Sequence, residues 1–288
     1  MERETEERMI EMHGVYCFTD IHGMYELYKK IMDYCKGEDP EATIIFLGDA
    51  ADRGPEGYRI MKELLENPHV VYLKGNHEDM FVKSARAIIG RYAANDDLYE
   101  YVHSLNKEQA QVLVKHMQDF DVRMHLENGG MQTLVDWLAD GANEEFVDTI
   151  EHLPLTYKFE NMDFCHAGGH PYTFEKVYNA EHDGKTNTLL PYDIYQTMWD
   201  RSALDLGWTA GRTCVFGHTP VVLMPDGIYG RDKSLENVHP IMYTSPMKSN
   251  REKFPGQKIN MDTGAVWSGK AWVLDCVNGV KCVEFKRD

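Results

Sequence analysis

The residues of this 288-residue chain that could do chemistry are aspartates, histidines and an asparagine set in short, glycine-flanked clusters. Asp20-Ile21-His22-Gly23 is the first, and GDAADRG, Gly48 to Gly54, the second. GNHE (Gly75 to Glu78), CHAGG (Cys165 to Gly169), GHTP (Gly217 to Pro220) and MDTG (Met261 to Gly264) follow. Aspartate oxygen and imidazole nitrogen are ligands suited to Mn, Fe or Zn, and no soft thiolate site is indicated. Asp20, His22, Asp49, Asn76, His166 and His218 supply such a set. Six groups are more than one four-coordinate ion uses, so two divalent ions sharing a bridging carboxylate fit the count better. The neighbouring glycines permit tight turns and a close backbone approach to substrate.

Something must bring these clusters together. Each follows a short apolar run: Val15 to Thr19, Thr43 to Leu47, Val70 to Leu73, Met162 to Cys165, Cys214 to Phe216 and Lys258 to Met261. Such runs read as buried strands, and open α/β sheets build their sites at strand ends. Between the first runs lie helical patterns, with Met24, Leu27, Tyr28, Ile31 and Met32 on one face and Ile60, Met61, Leu64 and Leu65 on another. That alternation predicts an α/β fold. From Met80 to His152 the spacing of Leu105, Val112, Leu113 and Met117 is helical, which predicts a helical insertion over about residues 80–152. Ala271 to Asp275 and Val280 to Phe285, around Val277-Asn278-Gly279, predict a β-hairpin.

The interval of about 221–258 holds Tyr229, Arg231, His239, Tyr243 and Lys248 among the breakers Pro240, Pro246 and Pro255. It reads as a long loop bordering the mouth of the site. No linker or repeat divides the chain, so one domain over residues 1–288 is expected.

A formal charge of -17 excludes a nucleic-acid partner that would need a basic face, while placed arginines and bound cations still allow a small anionic substrate. No apolar run reaches the roughly 18 residues of a membrane helix. The start, MERETEERMIEMHG, is acidic where a signal peptide is basic and then apolar, so a cytoplasmic protein is expected. The six cysteines lack C-x-x-C spacing, and Cys17 and Cys165 read as inert core thiols. Oligomeric state is left open.

In this order, DIHG, GDAADRG, GNHE, HAGG and GHTP resemble the calcineurin-like metallophosphoesterases, and more narrowly bacterial Ser/Thr protein phosphatases. The resemblance implies a central β-sandwich flanked by helices, with a two-metal site at the strand ends. It implies Asp20, His22 and His166 on one metal, Asn76 and His218 on the other, and Asp49 bridging, with Mn expected and Fe or Zn as alternatives. It makes His77 the proton donor to the leaving alkoxide, Asp52 the carboxylate orienting that histidine, and Arg53 a phosphate ligand. Arg201, in Met198-Trp199-Asp200-Arg201, is similar to the family's second phosphate arginine. Thr19 stands where the family usually has glycine.

The implied reaction is hydrolysis of a phosphate monoester, on a phosphorylated protein, peptide or small ester, by a hydroxide bridging the two ions. The alternatives are a dinucleoside polyphosphate or nucleotide hydrolase on the same scaffold, and a non-catalytic module merely stabilised by metal. Asp52 and Glu78 favour the phosphatase reading, and a proton donor counts against the last. His170 could line the site or be an ordinary loop histidine, and Asp262 could hydrogen-bond a ligand histidine or cap a turn. His13, His69, His103, His116, His125, His152, His182 and His239 have no motif around them, so solvated or satisfied side chains are expected.

Overall fold

A computed structural model describes residues 13–230, 233–278 and 281–287. Residues 1–12, Arg231, Asp232, Gly279, Val280 and Asp288 lie outside them. Ten strands form two five-stranded sheets. The first contains β1 (Val15–Phe18), β2 (Thr43–Phe46), β3 (Val70–Tyr72), β9 (Lys270–Asp275) and β10 (Lys281–Lys286), in the order β10-β9-β1-β2-β3. The second contains β4 (Thr156–Phe159), β5 (Met162–Cys165), β6 (Thr213–Phe216), β7 (Ile241–Tyr243) and β8 (Gln257–Asn260), in the order β4-β5-β6-β8-β7.

Period-two alternation explains why the strands read as continuous apolar runs. Along β1, Val15 and Cys17 face the other sheet and meet Ile45, Leu47, Phe164, Val215, Ile259 and Met261 in the core between the sheets. Tyr16 and Phe18 point outward, against Leu27, Ile31 and Ile60 of α1 (Tyr25–Glu38) and α2 (Gly57–Glu66). On the far side Cys214 and Phe216 meet Phe174 and Trp208. The α/β expectation holds in full: this is a β-sandwich with helices on both outer faces.

Every strand expected from the sequence is present, and β4 and β7 are additional. β7 lies inside the interval 221–258 and pairs antiparallel with β8. Val221, Val222, Met224, Val238, Ile241 and Tyr243 from this interval cover the outer face of the second sheet. The interval is therefore packed cover, with short helical turns, rather than a bare loop. The hairpin of β9 and β10 pairs Asp275 with Lys281, and the Asp275 carboxylate caps the amides of Val277 and Asn278 at 3.0 and 3.1 Å.

Six helices lie between β3 and β4: α3 (Asn76–Tyr92), α4 (Asp96–Val102), α5 (Lys107–His116), α6 (Phe120–Glu127), α7 (Met131–Ala139) and α8 (Glu144–Glu151). The helical segment begins at Asn76 rather than near residue 80, so Asn76 and His77 sit in a helix's first turn. Among the described residues, no helix is long and apolar enough to cross a membrane.

Candidate metal centre

β1, β2 and β3 run parallel, as do β5, β6 and β8, and the loops leaving these strands meet at one edge of the sandwich. Asp20 and His22 follow β1, Asp49, Asp52 and Arg53 follow β2, and Asn76 and His77 follow β3. His166 follows β5, His218 follows β6 and Asp262 follows β8. Asp20, His22, Asp49, Asn76, His166 and His218 are all buried. Asp20, His22, Asp49, Asp52, Arg53 and His218 all have φ between 43° and 70°, a left-handed region disfavoured for residues other than glycine. Outside these loops only Ala142 and Glu160, among the described non-glycine residues, do the same, so the backbone strain is concentrated where the polar groups converge.

Close approach explains two of the motif glycines. A Cβ on Gly75 would lie 2.3 Å from Asp49 Oδ1, and one on Gly217 would lie 2.1 Å from Asp20 Oδ2. Thr19 adds to the site: its hydroxyl donates to Asp20 Oδ2 at 2.6 Å, beside the amide of His218 at 3.0 Å.

The three histidines are each fixed through one ring nitrogen. His22 Nδ1 donates to Ala51 O at 2.9 Å, His166 Nδ1 to Leu47 O at 2.8 Å, and His218 Nε2 to Trp199 O at 3.1 Å. A backbone partner of this kind sets the tautomer and turns the other nitrogen inward. The inward nitrogens face acceptors: His218 Nδ1 is 2.7 Å and His166 Nε2 3.0 Å from Asn76 Oδ1, and His166 Nε2 is 3.3 Å from Asp49 Oδ1. His22 Nε2 is 3.6 Å from Asp49 Oδ2.

With Nε2 of His218 donating to Trp199 O, its Nδ1 turns a lone pair on Asn76 Oδ1, which is unfavourable until a cation lies between them, so the donor set fits divalent metal. Ligand atoms gather in two groups that share Asp49, one with His22 and His77 and one with His166 and His218. His166 therefore lies with Asn76 and His218, not with Asp20 and His22 as the resemblance implied. The reason is topological, since β5 and β6 are neighbours in the second sheet.

The electrostatics match a site that needs positive charge. Burial pushes Asp20 up to about 6, with the Asp49 charge outweighing part of what His166 takes back. Burial also lowers His166, but Asp49 overrides this and raises it to about 10. Burial works to raise Asp49, yet His166, His77 and His22 hold it well below the usual carboxylate range. Burial and the neighbouring His77 and Arg53 push His22 down to about 3.

His77 Nδ1 donates to Asp52 Oδ2 at 2.6 Å, and both groups are fully buried. Arg53 lies across the opening, with Nη1 2.6 Å from His22 Nε2 and Nη2 2.8 Å from His77 Nε2. Arg201 is exposed and donates to Thr219 Oγ1 at 3.1 Å, one residue beyond His218.

Glu78 faces away from the opening. It accepts from the amides of Asp49, Ala50 and Gly75 at 2.8, 2.8 and 2.9 Å and from the Tyr72 hydroxyl at 2.8 Å. It clamps one motif to the next. Asp262 caps a turn through Gly264 N at 2.8 Å, and His170 caps Pro171–His182 through Tyr172 N at 3.2 Å. Cys17 and Cys165 are buried free thiols.

Three residues were given no part in the site by the sequence. His125 and Thr133, from the helical segment, bind Asp52. Lys258, fully buried in β8, donates to the carbonyls of Gly168, Gly169 and Ala203 at 2.7, 3.2 and 2.8 Å. His125 lacked glycine neighbours of the kind that mark the strand-end motifs, although the Gly129-Gly130 pair downstream was a usable signal.

Known proteins are similar to this chain at modest identity. The asymmetrical bis(5'-nucleosyl)-tetraphosphatase PrpE of Bacillus mycoides is 24% identical over 271 residues, covering 87% of this chain and 85% of that protein. Serine/threonine-protein phosphatase 2 of Escherichia coli is also 24% identical, covering 63% of this chain and 69% of its own. Among solved structures, the cold-active protein-tyrosine phosphatase of Shewanella sp. covers 96% of this chain and 81% of that one, with a TM-score of 0.48 and 16% identity. The sequence profile of the calcineurin-like phosphoesterases matches residues 14–222, a span that runs from the start of β1 to just beyond His218 and takes in all six candidate ligands. With the ligand-bearing loops, the sandwich and that match in agreement, the chain belongs to the calcineurin-like phosphoesterase family, the metal-binding hydrolases of phosphate esters.

Proposed function

We propose that this protein hydrolyses phosphate monoesters with alkoxide leaving groups, as a Ser/Thr-type protein phosphatase does. The observation that carries this reading is the buried pair of His77 and Asp52, 2.6 Å apart. A serine or threonine alkoxide is a poor leaving group and needs a proton as it departs, whereas the phosphate oxygen released from a dinucleoside polyphosphate is a better one and needs it less. A positioned acid of this kind is worth roughly 100- to 10,000-fold in rate.

Asp20, His22, Asp49, Asn76, His166 and His218 would hold two divalent ions, Mn first with Fe or Zn as alternatives. When bound, such ions supply Lewis acidity and an activated water near neutral pH. The chain's own residues do the rest. Arg53 and Arg201 offer fork-shaped donors to phosphoryl oxygens. His77 holds through Nδ1 to Asp52 and presents Nε2 toward the opening, where the leaving oxygen would take its proton.

A second reading has its own support: the tetraphosphatase of Bacillus mycoides aligns over 87% of this chain, more than the Escherichia coli phosphatase does. A panel of phosphoserine, phosphothreonine and phosphotyrosine peptides beside diadenosine tetraphosphate, assayed with added Mn, separates them. Higher kcat/KM on phosphoserine or phosphothreonine peptide is expected. A clear preference for diadenosine tetraphosphate would replace the first reading with the second.

A further inference from the structure

Asp52 does not stand alone behind His77. His125 Nε2 lies 2.9 Å from Asp52 Oδ1 and 2.8 Å from Oδ2, and the Thr133 hydroxyl donates to Oδ1 at 2.7 Å. The same hydroxyl accepts the Asp52 amide at 3.0 Å. A carboxylate offers about four lone-pair directions, and His77, His125 and Thr133 between them take up the plane of this one.

The His125 ring is itself locked. It is wholly buried, stacks edge-on to Phe81, and its Nδ1 has no hydrogen-bond partner. A Cβ on Gly130 would lie 2.2 Å from the ring, so the Gly129-Gly130 turn closes directly on it. An unpartnered Nδ1 in a dry position leaves one N–H, on Nε2, and that N–H points at Asp52.

We propose that His125 is a positioning residue for the proton donor: it fixes the plane of the Asp52 carboxylate and through it aims His77 Nε2 at the leaving oxygen. This rests on the reading of His77 as the donor. Neither His125 nor Thr133 touches a candidate metal ligand through its side chain, so the role is separable from metal binding.

The test compares His125→Phe, His125→Gln and His77→Asn in the full chain with Mn supplied. The substrates are p-nitrophenyl phosphate, whose leaving group departs readily, and phenyl phosphate, whose leaving group is poorer. His125→Phe keeps the ring and removes the N–H; the Gln amide reaches the same place and restores it. His125→Phe should lower kcat on phenyl phosphate by about 10-fold or more and on p-nitrophenyl phosphate by less than about 3-fold, with KM and bound Mn unchanged. His125→Gln should recover most of the loss.

Equal losses on both substrates, or none, in a folded and Mn-loaded His125→Phe protein would overturn the inference, provided His77→Asn shows the leaving-group dependence. If His77→Asn shows none, the donor reading itself fails. The hydrogen-bonded Nδ1–H resonance of His77 in the metal-free protein then decides the positioning claim. A shift in His125→Phe that His125→Gln reverses upholds it, and an unchanged resonance overturns it.

Discussion

Nη1 of Arg53 donates to Nε2 of His22 across 2.6 Å. The same guanidinium reaches His77 Nε2 at 2.8 Å, so Arg53 spans a candidate metal ligand and the proposed proton donor. Arg53→Ala should therefore lower kcat/KM on any phosphate ester by about 10-fold or more, because the fork that would meet the phosphoryl oxygens is gone, while Mn binding is unchanged. Metal titration by calorimetry beside steady-state kinetics checks both. Wild-type kinetics in a folded, Mn-loaded variant would remove Arg53 from phosphate binding.

Glu78 leads to a stability prediction. Its carboxylate satisfies three buried amides and the Tyr72 hydroxyl. Glu78→Ala should cost at least about 3 kcal/mol of unfolding free energy, since several buried donors lose their acceptor together. Denaturant unfolding measures this, and a change below about 1 kcal/mol would mean that water replaces the carboxylate without loss.

Proton linkage gives the third. Asp20, raised by burial to about 6, holds its proton more tightly in the fold than when unfolded, so its contribution is present below its unfolded value of about 4 and is lost as pH rises through about 6. His166, raised to about 10 by Asp49 against the effect of burial, contributes in full below its unfolded value of about 6.5 and loses that progressively as pH rises from there through about 10. Both must shed a proton to ligate an ion. Added Mn should then raise Tm more at about pH 7.5 than at about pH 5.5, and binding should release protons, seen as a dependence of calorimetric heat on buffer ionisation. A Mn-induced Tm shift independent of pH would contradict this.

Lys258 supplies the fourth. Its ammonium joins the loop after His166 to Ala203, two residues past Arg201. Lys258→Met should lower stability by roughly 3 kcal/mol, because three buried carbonyls lose their donor. It should also raise KM for phosphate esters, because the Arg201 segment is no longer tethered. Wild-type KM in a folded variant would limit Lys258 to a structural part.

What could be seen in the sequence was whatever is local to a strand and its exit. Val15 to Thr19 alternates between two packed faces, so it reads as a strand, and the polar residues of Asp20-Ile21-His22 stand out against it. Asn76 and His77 were legible for the same reason. The pairing of His166 with Asn76 depends on which strands are neighbours, and nothing within either motif records that. β7 was hidden because Pro240 and Pro246 flank a three-residue edge strand. His125 was hidden because its partner lies 73 positions away and Phe81 of α3, which packs on its ring, lies outside any window around the residue; the Gly129-Gly130 pair was the one local trace.

The amide of His218 binds the carboxylate of Asp20 across 198 positions of chain. During synthesis β1, β2, β3 and the helical segment leave the ribosome long before β6 does. A nascent chain ending near Leu190 already has Asp52, His77, His125 and Thr133, yet lacks the histidine that completes the second ligand group. The proton-donor residues are therefore made before the second ligand group is complete, and metal capture by the full set of ligands is a late event in the life of each new molecule.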